Sequence, residues 1–140
     1  MEMVIGEKHE VKVTVTKELT AASMKSGALE VFSTPYMVAL MEQAASELCD
    51  KYTPDGISTV GIALNIQHMA ATAVGKEVRA VATLTAFDGR RASFDVEAYD
   101  NAGLIGKGTH ERFTVKIEKF IEKVQQRAIE LARNDYFVVI

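Results

Sequence analysis

Residues 34–51 read TPYMVALMEQAASELCDK, and this stretch decides the fold. Thr34 followed by Pro35 marks a helix start, because threonine is a good N-cap and proline suits the first helical position. The helix is expected to run from Pro35 to about Lys51 and to end before Pro54. Its apolar residues fall on nearly every side, so the helix is predicted to be enclosed by the rest of the chain.

The remaining sequence supplies strands that can enclose such a helix. Alternating apolar residues predict one strand at residues 9–16 and four strands after the helix. Turn residues at 88–89 and 101–103 join strands closely, so the four are expected to form an antiparallel meander. A last helix is predicted from Glu118 to about Arg133, docked on the domain or on a neighbour. The expected class is α+β, with a curved antiparallel sheet around one central helix and an additional C-terminal helix.

Composition limits the functions to be considered. With 140 residues and 48% apolar side chains, one domain spanning residues 1–140 is expected. The net charge of −3 argues against a general nucleic-acid binder. We expect no membrane span or secretion signal and therefore a cytoplasmic protein. One cysteine and three scattered histidines predict no metal site. The sequence also lacks the glycine-rich phosphate loop that would indicate a nucleotide cofactor.

Glu42 is the anomalous residue of the central helix. At about 100° per residue it shares a face with Val38, Ala45 and Cys49, whereas Glu47 falls on the opposite side. A carboxylate on an apolar face costs free energy unless it is paired or protonated. Three explanations remain open: a functional carboxylate, a glutamate at the edge of a groove, or a member of a buried ion pair.

His68 raises the same question on a strand. It is expected to share a face with four apolar residues, namely Val60, Ile62, Leu64 and Ile66. A lone histidine in such a position is more often a satisfied core residue. A neutral imidazole near a partly buried carboxylate would nevertheless form a good acid–base pair at neutral pH.

The start of the central helix combines a hydroxyl with unpaired backbone donors. Thr34 has an ordinary explanation as the N-cap, but its hydroxyl could also attack a carbonyl or hold a water that does. The first N–H groups of a helix have no partner within it. Pro35 has no N–H, so the free donors are expected to be those of Tyr36 and Met37. Such donors can stabilise the oxyanion of an attacked thioester.

Four stretches together resemble the fluoroacetyl-CoA thioesterase family of the hot-dog fold. They are YMVALMEQA at residues 36–44, IQHMAATAVG at 66–75, GRRASFDVEAYD at 89–100 and GKGTHERFTVKIEKF at 106–120. The resemblance implies a homodimer, or a higher oligomer, that hydrolyses small or medium acyl-CoA thioesters at sites in the subunit interface. It also implies that Thr34, Glu42 and His68 act on the thioester and that Gly61 and Arg112 line the acyl pocket.

Substrate details are less constrained by the sequence. The segment before the helix is shorter than the lid of the fluoroacetate-specific enzyme, and Phe32 is its one aromatic residue, which favours an ordinary acyl-CoA. Four basic residues are candidate partners of the coenzyme A phosphates: Arg90, Arg91, Lys107 and Lys116. The competing interpretations are a non-catalytic module that binds acyl-CoA and, third, a hot-dog dehydratase or hydratase.

Overall fold

The computed structural model describes the backbone of residues 1–139 and the side chains up to residue 134. It contains a five-stranded antiparallel sheet, one long central helix and a C-terminal helix. The strands are β1 (Lys8–Thr14), β2 (Ile57–His68), β3 (Glu77–Phe87), β4 (Arg91–Asp100) and β5 (Gly103–Lys116). The helices are α1 (Ala21–Met24), the central α2 (Thr34–Asp50) and α3 (Ile117–Val139), with a 3₁₀ turn at Lys17–Leu19.

The core lies between α2 and the concave face of the sheet. Seven residues of α2 are buried, on more than one side of the helix: Met37, Leu40, Met41, Ala44, Ala45, Leu48 and Cys49. The alternating residues predicted for β3 and β4 are buried too: Val78, Ala80, Ala82, Leu84, Ala92, Phe94, Val96 and Ala98. Six of these eight are alanine or valine, and short side chains let the sheet approach the helix closely. The predicted enclosed helix and its antiparallel sheet are confirmed.

The strand order corrects the predicted meander. The sheet runs β1-β3-β4-β5-β2, so β2 pairs with β5 and not with the strand that follows it in sequence. Residues 69–76 carry the chain from β2, at one edge of the sheet, to β3, which lies next to the other edge strand β1. Apolar alternation identifies a strand but does not select its neighbour, which is why the sequence placed β2 beside β3.

A bulge in β2 also changes its faces. The pairing with β5 shifts between Gly61 and Ala63, so one extra residue interrupts the alternation at Ile62. Leu64, paired with the buried His110, therefore shares the inner face with His68, whereas Val60 and Ile62 do not. The predicted single apolar face is wrong for this reason.

The cap of α2 is Ser33 and not Thr34. Ser33 has extended backbone angles, φ −79° and ψ 147°, and its Oγ accepts a hydrogen bond from the Tyr36 N–H at 3.2 Å. Thr34 is already the first helical residue. Two good capping residues are adjacent here, and the sequence does not distinguish them.

Helix α3 follows β5 without a loop and is longer than predicted. Most of its apolar stripe remains exposed within the protomer; Val124 and Leu131 are both 50% exposed. The expected docking on the domain is therefore not found for the described side chains. Residues 136–140 (YFVVI) form an apolar tail of the sequence; its backbone up to Val139 continues α3, and Ile140 lies outside the described residues. None of the described helices is long and apolar enough to cross a membrane.

Candidate active site

Thr34 and His68 meet at one end of the molecule. Thr34 begins α2, and His68 ends β2, whose neighbour β5 passes over the start of the helix. The Thr34 Oγ1 and His68 Nδ1 atoms lie 2.8 Å apart, which is a hydrogen bond. When the imidazole proton is on Nε2, the Thr34 hydroxyl donates to Nδ1, the arrangement that activates a hydroxyl nucleophile.

The surroundings of His68 favour this neutral form. Burial lowers the pKa of His68, and the Ala70 backbone opposes that shift only in part. The ring of Phe32, itself 1% exposed, packs edge-on against the imidazole with ring centres 6.4 Å apart. The Nε2 atom is buried and has no hydrogen-bond partner among the described residues. His68 is thus a neutral base with one nitrogen still available.

An open pocket lies against this pair. It has a volume of about 260 Å³ and is lined by Thr34 and His68, with Phe32 and residues 69–71 beside them. Residues of the segment before α2, Ala21, Ser26 and Val31, form its other wall. A thioester carbonyl in this pocket would lie next to the Thr34 hydroxyl.

The predicted donors of Tyr36 and Met37 are not free. The Tyr36 N–H is bound by the Ser33 side chain, and the Met37 N–H donates to the Ser33 carbonyl at 3.0 Å. The Met37 side chain is buried beneath Gly106, where an added Cβ would come within 2.6 Å of its sulfur. The expectation that both N–H groups are free is therefore wrong, and a substrate contact of either residue stays a prediction. In this first turn, the Thr34 N–H is the donor that has no hydrogen bond to a described residue.

Glu42, Gly61 and Arg112 form a second cluster further along α2. Gly61 faces the helix, and a Cβ at this position would lie 2.7 Å from Glu42 Oε2 and 3.3 Å from Arg112 Nη1. Glu42 Oε2 lies 3.8 Å from that same guanidinium nitrogen. The Glu42 side chain is nevertheless 38% exposed, so its carboxylate reaches solvent beside Gly61 on the edge strand β2. The three residues are close together, and glycine is needed at 61 because a larger residue would displace the carboxylate.

Arg112 is held by neutral partners that sequence analysis missed. Its Nε donates to Thr59 Oγ1 at 2.9 Å, its Nη2 to the Thr59 carbonyl at 3.1 Å, and its Nη1 to His110 Nε2 at 3.2 Å. His110 Nδ1 in turn donates to the Ala63 carbonyl, which leaves Nε2 as an acceptor. Burial lowers the pKa of His110, so the imidazole stays neutral beside the cation. The bonds to Thr59 and Ala63 connect β5 with β2 and depend on the register of the two strands, which the sequence does not reveal, whereas Arg112 and His110 are both on β5.

The two clusters do not meet within one protomer. Thr34 and Glu42 are eight residues apart on α2, which corresponds to roughly 12 Å along the helix axis. His68 bonds to Thr34, whereas Glu42 is next to Arg112. The candidate catalytic residues are thus a pair and a separate carboxylate.

The four candidate phosphate ligands are separated as well. Arg90 and Lys116 line one pocket, between the β3–β4 turn and the start of α3. Arg91 pairs with Glu111 at 3.7 Å, and Lys107 lies in a groove on the outer sheet face beside Asp95 and Glu97. In the part of the chain that the structure describes, no three His, Cys, Asp or Glu side chains are grouped as metal ligands would be.

Comparison with known proteins connects this geometry to a family. A family model described as fluoroacetyl-CoA-specific thioesterase matches residues 15–118. The fluoroacetyl-CoA thioesterase of Streptantibioticus cattleyicolor is 43% identical over 98 residues, which cover 70% of each protein.

Solved structures agree with the family match. A mutant fluoroacetyl-CoA-specific thioesterase in complex with fluoroacetate and CoA is 36% identical, with a TM-score of 0.80 over 84% of this chain and 99% of that one. A thioesterase superfamily member from Thermus thermophilus is 28% identical, with a TM-score of 0.85 over 95% and 98% of the two chains. The chain therefore belongs to the fluoroacetyl-CoA-specific thioesterase family, and its fold is the hot-dog fold of these enzymes.

Proposed function

We propose that this acyl-CoA thioesterase cleaves small or medium acyl-CoA thioesters at the Thr34–His68 pair and that it works as a homodimer. The observation that carries the proposal is the 2.8 Å contact between Thr34 Oγ1 and His68 Nδ1 at the start of the enclosed helix. It couples a hydroxyl to a neutral base beside an open pocket. That combination suits attack on an acyl carbon.

The chemistry follows from these positions. The Thr34 N–H and the positive end of α2 polarise the thioester carbonyl. The Thr34 hydroxyl, or a water it holds, attacks the carbonyl carbon while His68 accepts the proton. The carbon–sulfur bond then breaks, and His68 returns the proton to the coenzyme A thiolate. If Thr34 itself attacks, water hydrolyses the resulting acyl-threonine through the same base.

Glu42 would join this site across the dimer. In one protomer it is too far from Thr34, yet its carboxylate is 38% exposed and lies beside Gly61 on the edge strand β2. The buried Nε2 of His68 has no partner among the described residues and would donate to a carboxylate. An orienting carboxylate on the second imidazole nitrogen is the usual third member of such a site. We therefore assign that role to Glu42 of the partner subunit.

The free edge of β2 is the proposed dimer interface. It is a twelve-residue strand at the edge of the sheet, and Ile62 and Leu64 are 42% and 41% exposed. Long apolar edges are normally protected, because they pair readily with another strand. Antiparallel pairing with a second copy covers this edge and has the self-complementary form of a two-fold interface.

The segment before α2 favours an ordinary acyl-CoA over fluoroacetyl-CoA as the substrate. Phe32, its one aromatic residue, is buried against Tyr36 and His68 and is not available as a lid. We expect the cytoplasm to be the site of action, where the free buried thiol of Cys49 stays reduced.

The test is thiol release from a panel of acyl-CoA thioesters. The wild-type protein should release free coenzyme A, and Thr34→Ala and His68→Asn should each lose at least about a hundredfold in kcat. Thr53→Ala, three residues beyond the end of α2 and far from the Thr34–His68 pair, is the control. Coenzyme A binding without turnover of any thioester would leave the non-catalytic binding module as the better description, and a different product would indicate a hydratase.

A further inference from the structure

A basic pocket lies where α3 meets the end of the sheet. It has a volume of about 420 Å³, and four cationic side chains line it: Arg90, Lys116, Lys119 and Lys123. Its other walls are uncharged, with Ile57, Val115 and Phe120 among them. A volume of this size is typical of small-molecule sites.

The charge of this pocket is unbalanced. No acidic residue lines it, and none of its four cations has a carboxylate within 4.0 Å among the described residues. The chain as a whole has a net charge of −3, whereas this pocket has four positive charges, so its charge is opposite in sign to that of the whole protein. Lys119 and Lys123 are one turn apart on α3, where like charges repel. An anionic ligand would relieve that repulsion.

Arg90 is the fixed member of the group. The turn that carries it is closed by Asp88, whose Oδ1 accepts the Arg90 N–H at 3.0 Å, and by the Thr114 N–H, which donates to the Arg90 carbonyl at 2.8 Å. The guanidinium lies over the Phe113 ring, 5.8 Å from its centre. The three lysines extend from β5 and α3 towards the same space. One oriented guanidinium with several mobile ammonium groups suits a ligand that has more than one phosphate.

We propose that this pocket binds the phosphates of coenzyme A and that Lys119 and Lys123 are their principal new contacts. The apolar wall formed by Ile57, Val115 and Phe120 would face the adenine. This assignment rests on the proposed function, because it concerns the substrate of the same reaction. It replaces Arg91 and Lys107 as phosphate ligands, since these lie outside the pocket.

The dimer brings the pocket towards the reaction site. Ile57 begins β2 and His68 ends it, so up to about 36 Å of strand separates them in one protomer. Antiparallel overlap of two β2 edges, centred near residues 62–63, places Ile57 beside His68 of the partner subunit. The phosphates held by one protomer would then belong to a thioester bound at the Thr34–His68 pair of the other.

The experiment compares two thioesters that differ in phosphate. The double variant Lys119→Gln/Lys123→Gln and the wild type are assayed with acetyl-CoA and with S-acetylpantetheine, which has the same thioester and no phosphate. We expect KM for acetyl-CoA to rise about tenfold in the variant with kcat nearly unchanged, whereas KM for S-acetylpantetheine should not change. Lys8→Gln/Lys12→Gln, on β1, is the matched control of equal charge change.

The possible outcomes separate the two proposals. An unchanged KM for acetyl-CoA, or an equal rise for both thioesters, overturns the phosphate site. If the wild type hydrolyses neither of these thioesters nor any acyl-CoA of the panel, the proposed function fails, and calorimetric titration with coenzyme A then tests the pocket alone. In that titration, an equal affinity of wild type and variant for coenzyme A would refute the phosphate site.

Discussion

Glu42→Gln separates a chemical role of this carboxylate from a structural one. Glutamine is close to isosteric and keeps a hydrogen-bonding head, so the packing beside Gly61 should survive. The change removes the negative charge and the ability to accept a proton or to orient an imidazolium. If Glu42 serves the reaction, turnover should fall far more than stability.

The structure sets the size of the stability effect. The Glu42–Arg112 contact is long, at 3.8 Å, and the carboxylate is 38% exposed, so solvent screens it strongly. An ion pair of this kind contributes at most about 1 kcal/mol. Arg112 also keeps its bonds to Thr59 and His110 in the variant. We therefore expect the melting temperature to fall by no more than about 5 °C.

The expected kinetic effect is larger. Loss of a general base or of its orienting carboxylate costs about 10² to 10⁴ in rate, or about 2.7 to 5.5 kcal/mol in the transition state. The assay is kcat per folded site for acyl-CoA hydrolysis, measured beside the thermal midpoint. Glu47→Gln is the matched control, because Glu47 is on the same helix and pairs with His9 instead. A near-wild-type kcat together with a clearly lowered melting temperature would refute the catalytic assignment and make Glu42 a structural partner of Arg112.

Three further outcomes are expected. Ser33→Ala should cost about 1 kcal/mol of stability by freeing the Tyr36 N–H, whereas Thr34→Ala should lower kcat and leave the melting temperature nearly unchanged; the reverse pattern would restore Thr34 as the cap. Because burial holds the pKa of His68 below its ordinary value, the unfolded chain takes up a proton that the native protein does not as pH falls below about 6.5. Stability should therefore decline as pH falls below about 6.5, and kcat/KM at lower pH, where native His68 is itself protonated; the same dependence of stability on pH in His68→Asn as in the wild type would contradict a neutral native His68. Ile62→Lys should convert the dimer to monomers in sedimentation at micromolar concentration and abolish turnover; a fully active monomer would remove the β2 interface.

The sequence by itself determined the local elements and the unusual residues on them. An apolar helix that needs enclosure, and alternating strands at β3 and β4, follow from side-chain periodicity within one element. Glu42 was recognisable because a charged group interrupts such a pattern. The resemblance to the thioesterase family supplied Thr34 and His68 as a group, since neither residue is distinctive alone.

Only the tertiary structure decided which of these residues meet. The pairing of β2 with β5 brings His68 to Thr34 and fixes Arg112 between Thr59 and His110. The same pairing leaves the other edge of β2 free, and the pairing of β4 with β5 places Lys119 and Lys123 beside Arg90. These contacts join residues that are distant in the chain, and periodicity within an element carries no information about its neighbour. Strand order and the bulge at Ile62 supply that information, because they determine which strands are neighbours and which side chains share a face.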